Sequence, residues 1–141
     1  MNQELNHKDT KTQRKAISEE TNALARQVVD AAFKVHQTLG AGLLESVYEA
    51  CLCHELNKRG IPFQKQVSLP VVYDSITLEA GLRLDIWVDK QLIIELKAVD
   101  QLHDVHQAQL LTYLKLTNNR LGLLINFNTA RIKDGIKRVI L

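Results

Sequence analysis

Hydrophobic positions along this chain alternate between two periods, one helical and one of strands. Between Ser18 and Gly40, Val28, Val29, Ala32, Phe33 and Val35, followed by His36, form a helical run. Ser18 can cap its start, Glu19 and Glu20 suit the first turn, and Gly40 ends it. After a joint at Ala41-Gly42, a second helix is expected from about Leu43 to Arg59. Its apolar stripe is Leu44, Val47, Tyr48, Cys51, Leu52 and Leu56, and Gly60-Ile61-Pro62 stops it. Glu55 falls near the centre of that stripe, where a carboxylate needs an arginine or backbone donors. Glu45, at the stripe's edge, is left by position alone to solvent or to a neighbouring sheet.

Strand signals follow. Phe63 to Tyr73 reads as a strand in which Pro70 marks an edge or a bulge, with a turn near Asp74-Ser75. Thr77 to Val88 and Gln91 to Val99 complete a meander. A helix from about Asp104 to Leu116, an apolar buried strand over Arg120 to Phe127, and a hairpin near Asp134-Gly135 leading into Ile136 to Leu141 close the chain. The order is ααβββαβ with a terminal strand. Residues 1–17 are polar and locally basic, through Lys8, Lys11, Arg14 and Lys15, and read as a flexible tail before one domain over 18–141.

Three charges interrupt two of these strands in one register. In Leu82 to Val88 the even positions are apolar, while Arg83, Asp85 and Trp87 face the other way; in Leu92 to Ala98, Ile93, Glu95 and Lys97 do so. One face then reads as core and the other as a site. A two-residue loop at Asp89-Lys90 would pair Asp85 with Ile94, whereas an odd loop or a bulge pairs Asp85 with Glu95. The odd register is expected. Two carboxylates on neighbouring strands suit Mg²⁺ or Mn²⁺, and a lysine beside them can activate a water and offset charge on a phosphate. The same residues also fit a solvated face with cross-strand ion pairs.

Composition narrows the class without choosing the partner. The 141 residues, 45% hydrophobic and 24% charged, suffice for one globular domain, and a net charge of +2 is too small to argue for nucleic acid. Cys51 and Cys53 diverge on a helix with no other cysteine to complete a zinc site or disulfide framework, so reduced thiols are expected. No apolar run suits a signal peptide or a membrane span, which points to a soluble cytoplasmic protein.

This element order, with Asp85, Glu95 and Lys97, resembles the PD-(D/E)XK nuclease superfamily. Gly42-Leu43-Leu44-Glu45-Ser46-Val47-Tyr48 further resembles the motif that names its GxxExxY family. Val35-His36 before it, and Arg83-Leu84-Asp85, Glu95-Leu96-Lys97-Ala98-Val99 and Gln109-Leu110-Leu111-Thr112-Tyr113 after it, also resemble family sequence, in order. The resemblance implies an α/β (α+β) fold: a restriction-endonuclease-like αβββαβ core with a central mixed sheet flanked by helices. It implies Glu45 as a third metal carboxylate beside Asp85 and Glu95, with the Leu96 carbonyl as a further ligand. Gln109 and Tyr113 then help to position metal, lysine or substrate. Leu84 stands where the superfamily's name has proline, a position that holds no ligand.

The function implied is metal-dependent hydrolysis of phosphodiester bonds in nucleic acid, with DNA the expected polymer and Mg²⁺ or Mn²⁺ the cofactor. Arg83 could contact a phosphate, and Trp87 a base, although packing under a loop suits Trp87 better. His36 and His106 could line the cleft and bind a phosphate, or be packing histidines. In so short a domain, substrate choice could come from a homodimer or a partner subunit. The alternative is a non-catalytic module that binds nucleic acid or protein and retains the fold; a third reading is an ion-pair face with no ligand.

Overall fold

The computed structural model describes residues 16–141, apart from the side chain of Ala80. Most of the expected 1–17 tail therefore lies outside the described residues. Helix α1 (Glu19–Leu39) starts where Ser18 Oγ accepts the Thr21 N–H at 3.0 Å, and ends at Gly40, whose φ of 70° a side chain would strain. It buries Ala25, Val28, Ala32 and Val35, one residue per turn of one face.

Helix α2 (Glu45–Lys58) has no capping side chain at Leu44. Tyr48 does the equivalent work: its hydroxyl accepts the Leu43 N–H at 3.1 Å and donates to the Gly40 carbonyl at 2.6 Å, so one ring closes the α1–α2 joint. The buried face is Tyr48, Leu52, Cys53 and Leu56. Leu44 and Val47, expected on the stripe, are exposed; in the first turn it is Tyr48 and, half-buried, Glu45 that face inward. Buried Glu55 is paired as anticipated, but with Lys34 at 3.3 Å and Lys58 at 3.4 Å rather than with arginine.

Strands β1 (Phe63–Tyr73), β2 (Ile76–Val88), β3 (Leu92–Lys97), β4 (Leu121–Asn126) and β5 (Ile136–Ile140) form a five-stranded sheet in the order β1-β2-β3-β4-β5. Pairing is antiparallel except between β3 and β4, which the crossover helix α3 (Asp104–Thr117) makes parallel. Pro70, without an N–H to donate, sits on edge strand β1 where the register shifts between Leu69 and Val71. Asp74 and Ser75, both at positive φ, form the two-residue turn. A short 3-10 turn, Ile132–Gly135, replaces the last hairpin loop.

Helices α1 and α2 cover one face and α3 the other, giving two buried clusters. This corrects the division into a core face and a site face: Ile93 is fully buried under α3 as Ile94 is under α1 and α2. Alternation also breaks within β2. Leu82 and Leu84 pack on the α3 side, whereas Ile86 and Val88 pack on the other. The change of side falls at Asp85, opposite Gln66 of β1, whose φ of 52° interrupts the extended backbone there.

Candidate functional site

The β2–β3 loop decides which residues meet. Val88 pairs with Leu92 and Ile86 with Ile94, leaving Asp89, Lys90 and Gln91 as a three-residue connection, the odd register. Asp89 and Lys90 stand at positive φ, and Gln91 is pinned from α1: Thr21 Oγ1 donates to its Oε1 at 2.8 Å, while its Nε2 donates to Glu20 at 3.0 Å. Continued by one step, that register sets Asp85 against Glu95.

There the ladder gives way to side chains. The Asp85 N–H donates to Glu95 Oε1 at 2.9 Å, and the Leu96 N–H donates to Asp85 Oδ2 at 2.8 Å. Each carboxylate thus fills a backbone position on the other's strand. Glu95 is only 3% exposed. Burial, and next the charge of Asp85, push its carboxyl up to about 8, against the opposing pull of the Asp85 N–H and of Lys97.

Helix α2 brings Glu45 to the same place. Its carboxyl is raised first by burial and then by Asp85, with Lys97 acting in the other direction. One turn further, Glu49 is raised by burial and by Asp85. Gln66 spans the gap: its Nε2 lies 2.8 Å from Glu49 Oε2 and 3.4 Å from Asp85 Oδ1. Neither Glu49 nor Gln66 was singled out from sequence. Glu49 follows Glu45 by four residues, which was a legible signal; Gln66 depends on a strand bend that no local pattern announces.

From α3, Tyr113 is buried and donates its hydroxyl to the Arg83 carbonyl at 3.1 Å. Burial, then Glu95 and Asp85, push its phenol up to about 12, and a hydrogen bond with Gln109 opposes them. His106 also belongs here, since burial and then Lys97 lower its pKa; its Nδ1 accepts the His103 N–H at 3.0 Å. The Arg83 side chain is exposed. His36 is held elsewhere, its Nε2–H donating to the Thr129 carbonyl at 2.8 Å. Trp87 donates to Asn119 Oδ1 at 2.8 Å and packs beneath the loop before β4.

The donor set fits a hard divalent cation. Crowded carboxylates are relieved by such a charge, and Asp85 and Glu95 each commit only one oxygen to a short backbone bond. Among the described residues no three acidic, histidine or cysteine side chains already converge as a metal cage.

A mixed sheet between helices, with Asp on one central strand and Glu-x-Lys on the next, defines a restriction-endonuclease-like protein. A family model of the PD-(D/E)XK nuclease superfamily matches residues 22–139, and the chain belongs to that superfamily. No curated protein and no solved structure matches it. Membership supports a nuclease-type function on nucleic acid, in a superfamily generally dependent on a divalent metal, usually Mg²⁺. No helix among the described residues is long and apolar enough to cross a membrane.

Proposed function

We propose that this protein is a Mg²⁺- or Mn²⁺-dependent nuclease that hydrolyses phosphodiester bonds in DNA, a member of the GxxExxY family with one catalytic domain over 18–141, acting in the cytoplasm. The reciprocal capture of backbone N–H groups by Asp85 and Glu95 supports this reading, because it fixes two hard-oxygen carboxylates against each other within the electrostatic reach of Lys97. Asp85, Glu95 and Glu45, with the Leu96 carbonyl, hold the ion. When bound, it shields charge on the phosphate oxygens. Lys97 helps to activate the attacking water and offsets charge on the phosphate. Tyr113, with Gln109 bonded to it, holds the β2 backbone two residues before Asp85, and His106 meets the phosphate; the fixed bond of His36 supports a packing role better than substrate contact.

Val72, Tyr73 and Ile76 at the tip of the β1–β2 hairpin are exposed, which supports a second copy or a partner subunit contributing to substrate choice. The deciding experiment offers labelled single-stranded DNA, duplex DNA and RNA to the protein and to Glu95→Gln in Mg²⁺, Mn²⁺ or chelator. Metal-dependent cleavage lost in the variant supports the proposal. No cleavage, with no metal binding, transfers it to a non-catalytic module.

A further inference from the structure

The chain must turn sharply after Lys97 to leave the sheet for α3, and the backbone there is held by one side chain of the neighbouring strand. Asn126 is the parallel register partner of Lys97 and the last residue of β4. It is 3% exposed. Its Nδ2 donates to the Val99 carbonyl at 2.9 Å, and its Oδ1 accepts the Val99 N–H at 3.1 Å and the Asn128 N–H at 3.2 Å. The amide so reproduces both bonds of a sheet rung on Val99, two residues beyond Lys97, where no strand continues. On the near side the Phe127 N–H donates to the Lys97 carbonyl at 2.9 Å. Lys97 is therefore bracketed, its own carbonyl tied to Phe127 and the second residue after it clamped at both backbone atoms.

We infer that Asn126 is the positioning residue for Lys97: it does not touch the reacting atoms, but sets the direction in which the lysine leaves β3. A carboxamide is the group this needs, since only a side chain with both a donor and an acceptor can hold the N–H and the carbonyl of one residue. An aspartate would set a carboxylate against the Val99 carbonyl, and an apolar residue would leave buried N–H groups without partners. The inference rests on the nuclease reading for its catalytic consequence, but not for its geometry.

Asn126→Ala tests it against Asn128→Ala, which removes a neighbouring side chain bonded among the described residues only to Asp100, at 3.4 Å, and leaves the Val99 clamp in place. In Asn126→Ala, kcat is expected to fall about 10- to 100-fold. KM stays within about twofold and Mn²⁺ affinity, read by calorimetry, within about threefold, because Asp85 and Glu95 are anchored on β2 and β3 and Glu45 on α2. The Lys97 ε-methylene NMR signal, observed without substrate or metal, is expected to move in Asn126→Ala and to stay in Asn128→Ala. An unmoved Lys97 signal overturns the inference, as does loss of Mn²⁺ binding in parallel with kcat. A moved signal in a protein that cleaves nothing upholds the positioning role and rejects the nuclease reading alone.

Discussion

Asp85 and Glu95 hold each other's strands: the Asp85 N–H is bound by the Glu95 carboxylate at 2.9 Å, and the Asp85 carboxylate binds the N–H of Leu96, next to Glu95, at 2.8 Å. The pair proposed to hold the ion therefore also closes a gap in the sheet. Substitutions here separate the two roles only if the hydrogen-bond acceptor is kept.

Alanine at Asp85 or Glu95 leaves a sheltered N–H unpaired and should cost about 1–3 kcal/mol of stability. Asp85→Asn and Glu95→Gln retain an oxygen acceptor, so their urea midpoints should stay near that of the parent protein. All four variants should lose cleavage by on the order of 100-fold or more. Denaturation curves beside the cleavage assay check this, and amide variants that cleave normally would refute the site.

The pH dependence of stability follows from Glu95. Its folded value of about 8 lies above an ordinary glutamate's, so the folded metal-free protein keeps a proton that the unfolded chain releases. The stabilisation is complete below the unfolded value and is lost as pH rises through about 8. Glu45 and Glu49, also raised, act in the same direction. In chelator, the Tm should therefore decline from mild acid towards pH 8, and Glu95→Gln should flatten that decline. A cation held by Glu95, as proposed, must expel the proton, so calorimetry in buffers of different ionisation heat should show proton release on Mg²⁺ binding to the parent protein and less in Glu95→Gln.

Tyr48→Phe keeps the ring, which stacks on Phe127 at 4.5 Å, and removes the hydroxyl that ties Gly40 to Leu43. We expect a loss of about 1–2 kcal/mol, because the Leu43 N–H and Gly40 carbonyl lose a partly sheltered partner. Glu45 begins the helix that this hydroxyl steadies, so Mn²⁺ affinity should fall several-fold while the fold persists. Thermal melts with and without Mn²⁺ read both effects.

Gly122 lets α3 lie close on β4: a Cβ there would come within 2.8 Å of Leu110 Cδ1 and 3.0 Å of its Cγ. Gly122→Ala should destabilise by about 1–3 kcal/mol through overpacking. Because the same helix carries Gln109 and Tyr113, activity should fall more than stability alone explains. Leu110→Ala empties a buried site and carries its own cost, so the double variant should lose less than the sum of the two single losses; strict additivity would show that the two sites do not touch.

Local signals carried far into this fold. Ser18, Gly40 and Asp74-Ser75 mark ends and turns through bonds among residues close in the chain, and each stands where expected. The Asp85–Glu95 register was legible because side-chain parity couples loop length to facing. The outward turn of Leu44 and Val47 was not, since it depends on where α2 meets the sheet. Nor was the second buried face, which exists only because α3 folds back over Ile93 and Leu124.

The amino-acid order by itself determined the elements, their sequence along the chain and the presence of two acids and a lysine in one register, because periodicity, capping and turn chemistry act over a few residues. Only the tertiary structure decided that β2 changes face at Asp85 beside Gln66, that Glu49 joins the acids, and that Asn126 holds the exit from Lys97. Those relations join residues from different strands and helices, and they arise when packing brings polar groups together that must each find a partner out of water.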